Sequence, residues 1–105
     1  MLLDEGLRMQ DHPGIVFRSG PAGRRPALAD GPDVWEVARV VRETREGDAL
    51  AQVAELTGLT TEQVRIAIGY YADYGAEIDA WIERVDEEAD RAEAAWRRSQ
   101  AVLGA

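Results

Sequence analysis

The apolar positions of this chain change their period along its length. The first ten residues show no clear period, and residues 1–11 are read as a mobile arm. His12-Pro13-Gly14 is a turn signal, and Ile15-Val16-Phe17-Arg18 then forms a short β-prone run closed by Ser19-Gly20-Pro21-Ala22-Gly23. Pro26-Ala27-Leu28-Ala29 is expected to return as a second short strand. Two short strands are not stable alone in water, so a helix or the same ribbon from a second subunit must cover them.

From residue 34 the period becomes helical. Asp30-Gly31-Pro32-Asp33 breaks the chain and offers Asp33 as an N-cap. Val34, Trp35, Val37, Ala38 and Val41 share one face while Arg39, Arg42 and Arg45 mark the other, which predicts a helix to about Glu46, stopped by Gly47. A second helix is expected over about 48–57 with Leu50, Val53, Ala54 and Leu56 inward. A third follows Thr60, with Gln63 completing a capping box, and runs to about Tyr74 through Val64, Ala67, Ile68 and Tyr71. Gly75 separates it from a last helix over about 76–103.

Ala54, Gly58 and Val64 give the second and third helices the spacing of a helix-turn-helix. The small residue permits close approach, Gly58 supplies a turn of positive φ, and Val64 buries the second helix of the pair. DNA is therefore the first partner to consider, although hairpins of this kind also serve as plain packing units. The fold class expected is mainly α: a helix-turn-helix domain, homeodomain-like or winged-helix-like, with a small N-terminal β-hairpin and a long C-terminal amphipathic helix.

In that last helix Ile78, Trp81, Ile82, Val85, Ala89, Ala92 and Trp96 recur at steps of three and four. The first two turns of the stripe suit a domain core, and the far half outruns what a core this small can cover. Trp35 and Trp81 are expected inside. Trp96, beside Arg97 and Arg98, reads as an interface anchor or as the contact of a symmetry-related helix.

The charge balance shapes the choice of partner. The formal net charge of the 105 residues is −8, and all 12 cationic residues are arginine. Residues 1–47 carry 7 Arg and 8 acids, and residues 48–105 carry 5 Arg and 12 acids, so the halves stand at −1 and −7. Indiscriminate nucleic-acid binding needs clustered cations and does not fit. A DNA-facing surface has to draw on Arg24, Arg25, Arg39 and Arg42 for the backbone and on Thr61, Gln63 and Arg65 for bases, with Glu62 opposing.

Catalytic chemistry has little support. His12 is the single imidazole, and cysteine is absent, which removes disulfides and thiolate sites. The run Asp86, Glu87, Glu88 and Asp90 reads as a solvated face before it reads as a carboxylate pair. Gly20-Pro21-Ala22-Gly23-Arg24-Arg25 lacks the spacing of a phosphate loop and is expected to be a hairpin loop presenting Arg24 and Arg25. No enzyme activity, metal or cofactor is expected. No apolar run reaches the roughly 18 residues of a membrane span, no secretory signal is apparent, and a cytoplasmic protein is expected.

The segment Gly23-Arg24-Arg25-Pro26-Ala27-Leu28, leading through a turn to Val34-Trp35-Glu36-Val37, resembles the family called domain of unknown function 433. That family runs from a G-x-R-P-x-I-type strand to a V-W-[DE]-[IVL] helix start. It then ends a helix-turn-helix in a segment similar to Thr61-Glu62-Gln63-Val64-Arg65-Ile66-Ala67-Ile68-Gly69-Tyr70-Tyr71-Ala72. Pro13-Gly14-Ile15-Val16-Phe17-Arg18 resembles an actinobacterial branch, and the likeness covers about residues 12–85. The chain departs from the pattern at Asp30-Gly31-Pro32-Asp33, where the family usually has G-T-R-[IV]-P.

The resemblance implies a VapB-like antitoxin that binds its own promoter DNA and neutralises a ribonuclease toxin of PIN-like fold. The alternative is a protein-interaction module that keeps the helix-turn-helix only as scaffold. Residues 12–85 are expected as the domain and 86–105 as a helical extension. Val85 at the domain's end and Ala89, Ala92, Trp96, Arg97 and Arg98 of the extension would form the toxin-binding element, the two arginines facing an acidic pocket. A homodimer through the hairpin and the helix that follows it is expected, because a short ribbon leaves an open edge.

Overall fold

A computed structural model describes residues 2–44 and 47–104. It is mostly helical, with one two-stranded antiparallel hairpin and a long C-terminal helix. The order is α1 (Leu2–Asp11), β1 (Ile15–Gly20), β2 (Gly23–Leu28), α2 (Val34–Glu43), α3 (Ala49–Thr57) and α4 (Thr61–Gly104).

The expected mobile arm is a helix. Periodicity misses α1 because its attachment is polar, through Arg8 and through the ion pair of Glu5 with Arg24. Arg8 donates from Nη1 to the Tyr70 hydroxyl (3.0 Å) and to Glu77 Oε2 (2.7 Å), and from Nη2 to Glu77 Oε1 (3.1 Å). Its guanidinium also lies 3.9 Å from the centre of the Tyr74 ring. The turn after α1 brings His12 to Asp73 at 2.9 Å and edge-on to Tyr70 and Tyr74. Gly14 has φ 97°, and a Cβ there would sit 2.9 Å from Ile66 Cδ1, so the turn lies directly against α4.

The hairpin pairs Ile15 with Leu28 and Gly20 with Gly23, which leaves only Pro21-Ala22 as the turn. Arg24 and Arg25 therefore lie in β2 rather than in a presenting loop. The strands pack on α2 and α4 within the same chain. Helices of the same chain, not a second ribbon, supply the cover. Arg18 fastens the following loop, donating to the carbonyls of Gly31 (2.8 Å), Leu28 (2.9 Å) and Ala29 (3.2 Å).

Asp33 caps α2 as expected, with its N–H bonded to Glu36 Oε2 at 3.0 Å. The helix ends at Glu43, where Thr44 turns to extended φ/ψ and bonds Val40 O through its hydroxyl (2.9 Å). Arg45 and Glu46, over which the periodicity extended this helix, lie outside the described residues. Asp48 opens α3 by accepting from the Ala51 N–H (3.2 Å), and Gly58 closes it at φ 74°. Thr60 and Gln63 form the reciprocal box at the start of α4, at 3.1 and 2.9 Å.

The core gathers Ile15, Ala27 and Leu28 of the hairpin, Val34, Val37 and Ala38 of α2, Val53 of α3, and Val64, Ala67, Tyr70, Ile78 and Ile82 of α4. Tyr70, not Tyr71, is the fully buried tyrosine. Leu56, expected inward, is 71% exposed, because at 100° per residue it lies well away from the arc shared by Leu50, Val53, Ala54 and Thr57. Trp35 and Trp81 are half-buried rather than internal, each flanking its helix's inward arc. The break expected at Gly75 falls one residue earlier, at a kink at Tyr74 (φ −125°, ψ 32°) where two helical segments of α4 meet.

Candidate interaction surfaces on the C-terminal helix

The seven side chains expected to meet DNA do not assemble into one surface. Arg24 and Arg25 border a groove between α1, β2 and α4; Arg39 and Arg42 line a cleft with Ile82 and Asp86; Arg65 lies in a third cleft with His12 and Ile66. Each of these arginines is paired with a carboxylate. Arg24 holds Glu5 (2.6 Å), Arg42 approaches Asp79 (3.5 Å), Arg65 bonds Glu62 (2.9 Å), and Arg25 and Arg39 pair with Asp33 and Asp86. The hydrogen bond from Arg24 lowers the Glu5 pKa, which keeps that pair charged. Gln63 is occupied by its cap and by a 3.2 Å bond to Asp30, which leaves Thr61 as the exposed polar residue of the set without a side-chain partner.

The far end of α4 behaves as its pattern suggests. Ile78 and Ile82 are buried, Val85 is half-buried, and every residue from Asp86 to Gly104 is exposed. Beyond Glu87 the side-chain interactions among the described residues are confined to the helix itself: Arg97 to Glu93 (2.6 Å) and Ser99 to the carbonyl of Ala95 (3.1 Å). Ala89, Ala92 and Trp96 continue the stripe in the open, with Trp96 62% and Leu103 80% exposed. Uncovered apolar side chains recurring along one helix are a surface for another element.

Beside this stripe lies a groove of about 660 Å³ that single-residue reading of the sequence misses. Phe17, Pro26, Trp35 and Trp81 form its apolar lining, with Tyr70 and Ile78 beneath. The Trp35 indole is held by a 3.1 Å bond from Nε1 to Asp33 Oδ2. Arg84 lies 4.7 Å over the Trp81 ring, and the spacing of three between them was the available signal. Glu83 and Glu87 also line it, without a cationic partner among the described residues. At the groove's other end Arg8 fixes Glu77, whose carboxyl is held below its ordinary pKa by those hydrogen bonds, while burial raises the Tyr70 pKa.

Among the described residues no group of three or more histidine or acidic side chains is arranged to hold a metal ion, and no helix is long and apolar enough to cross a membrane. No family model, curated protein or solved structure matches the chain.

Proposed function

We propose that this chain is a protein-interaction module that acts as the antitoxin of a toxin–antitoxin pair, with the C-terminal half of α4 as its working surface. The observation that carries the reading is the exposed stripe from Val85 to Leu103 on a helix that continues out of the core without a break. The likeness to domain of unknown function 433 supports the antitoxin form of the reading and rests on the motif residues alone. In this reading the protein works in the cytoplasm against a PIN-like ribonuclease. Val85, Ala89, Ala92 and Trp96 give the apolar contact, and Arg97 and Arg98 turn toward the nuclease's acidic site. Co-expression with the product of the adjacent gene tests it. Co-purification and loss of ribonuclease activity are expected, and both should disappear when the chain is truncated after Asp86.

Promoter binding is a second reading, favoured by the left-handed turn at Gly58 and the capped start of α4, the local geometry of a helix-turn-helix. The pairing of each candidate arginine with a carboxylate weighs against it, since phosphate contact must first compete with those pairs.

A further inference from the structure

We infer that the seat filled by the Arg8 guanidinium is a recognition site for an arginine side chain of a partner protein, with α1 occupying it in cis. The partner's arginine displaces Arg8 and lays its apolar neighbours along the aromatic groove. This goes beyond the antitoxin reading and does not depend on it, because the seat is built from Tyr70, Tyr74 and Glu77 and not from the stripe beyond Val85.

The chemistry of the seat is that of a guanidinium receptor. Glu77 meets the cation at two points, 2.7 Å from Nη1 and 3.1 Å from Nη2, a fork-on-fork geometry that a lysine ammonium cannot reproduce. The Tyr70 hydroxyl accepts a third bond at 3.0 Å, and the centre of the Tyr74 ring lies 3.9 Å from the guanidinium carbon. Tyr70 is fully buried and packs on the rings of Phe17 (6.3 Å) and Tyr74 (4.7 Å), so the aromatic walls do not depend on α1.

Arg8 fills this seat incompletely. Its Nε is buried and makes no hydrogen bond among the described residues, since Asp4 Oδ2 stands 3.0 Å away but out of line with the N–H. Its neighbours Leu7 and Met9 are 56% and 37% exposed, so α1 supplies the cation and leaves the adjoining apolar lining bare. The seat opens directly into the groove of about 660 Å³, which continues from Tyr70 and Glu77 to Phe17, Trp35 and Trp81.

The groove fixes the rest of the occupant's character. A cleft of this size with an aromatic lining and a few polar groups at one end suits a short peptide segment. Arg24 and Arg25 are taken by Glu5 and Asp33, and Arg84 lies on the Trp81 ring. Glu83 and Glu87 line the groove without a cationic partner among the described residues, so free carboxylates outnumber the one arginine that no carboxylate holds. That balance favours a cationic guest. An arginine with apolar neighbours gains the fork on Glu77 together with the contact on Trp35 and Trp81 that Arg8 forgoes.

Calorimetric titration of the full-length chain with acetyl-Arg-Leu-Leu amide tests this. Arg8→Ala vacates the seat and is expected to bind the peptide about tenfold more tightly than the wild type, in which the seat is open in only a small fraction of molecules. Acetyl-Lys-Leu-Leu amide should bind Arg8→Ala about tenfold more weakly, and adding Glu77→Gln should weaken the arginine peptide by a similar factor. In the wild type, a saturating excess of the arginine peptide should speed amide exchange in α1, a readout that needs no variant to fold. Absence of binding to Arg8→Ala at millimolar peptide, equal binding by the wild type, equal binding of the lysine peptide, indifference to Glu77→Gln, or unaltered exchange in α1 would each overturn the proposal. Failure to capture a nuclease bears on the antitoxin reading only, because these measurements use the chain with a synthetic peptide.

Discussion

Arg8 and Glu77 meet in a two-point ion pair, at 2.7 and 3.1 Å, that ties the N-terminal helix to the far side of the bend in α4. The same guanidinium holds Tyr70, on the near side, so one side chain spans the irregular residue Tyr74. Arg8→Ala is expected to cost about 1–2 kcal/mol in denaturant unfolding. The solvent-exposed Glu77 limits the ion pair to roughly 0–1 kcal/mol, and the lost bond to buried Tyr70 adds about 1 kcal/mol. Faster amide exchange should be confined to α1.

The same contact sets a pH dependence. Hydrogen bonds from Arg8 lower the folded-state pKa of Glu77, and Arg24 does the same for Glu5, so each pair stabilises the fold above the ordinary glutamate value. That contribution fades as pH falls through the lowered folded values. Proteolysis within α1 is expected to increase on acidification, and Arg8→Ala should flatten that dependence.

Gly58 holds φ 74°, with nothing within 4 Å of where a Cβ would stand. Gly58→Ala should therefore cost only the left-handed backbone strain, about 1–2 kcal/mol, and Gly58→Asn less. Gln63→Ala removes one arm of the capping box and is expected to cost about 1 kcal/mol by thermal unfolding. Equal stability of Gly58→Ala and the wild type would contradict the assignment of this turn.

At near-physiological salt, promoter binding no stronger than binding to unrelated DNA is expected, because the cations that would neutralise phosphate are paired with acids in three separate clefts. Arg65→Ala should leave that weak binding unchanged. A sequence-specific footprint abolished by Arg65→Ala would restore the DNA-reading role.

Chain truncation after Glu87 is expected to leave the unfolding temperature of dilute protein unchanged, since the helix beyond makes side-chain contacts only with itself. Scanning calorimetry of the full and truncated chains checks it.

Local chemistry made the caps and turns legible in the sequence: Asp33, Gly58, and Thr60 with Gln63 each act where residue type required. The stripe through Ile78 and Ile82, and its exposure beyond Val85, also followed from periodicity. What escaped depends on tertiary contact or on helical phase. α1 docks through Arg8 and Glu5, polar anchors that no apolar pattern encodes. Val53→Ala should cost about 2 kcal/mol and Leu56→Gln almost nothing, although both are apolar residues of one short helix. Tyr70 took the buried place expected of Tyr71 as α4 nears its bend. The aromatic groove joins residues from β1, β2, α2 and α4, and its composition is visible only once they meet.

The bend at Tyr74 gives α4 the mechanics of a lever. Its short arm carries the capped turn at Thr60, its long arm carries Trp96, and α1 grips the fulcrum through Arg8. Trp96 lies about 33 Å along the helix from Tyr74, so a tilt of about 5° at the bend moves it by about 3 Å. Force applied by whatever holds the far arm is thus felt first as torque on the contact between Arg8 and Glu77.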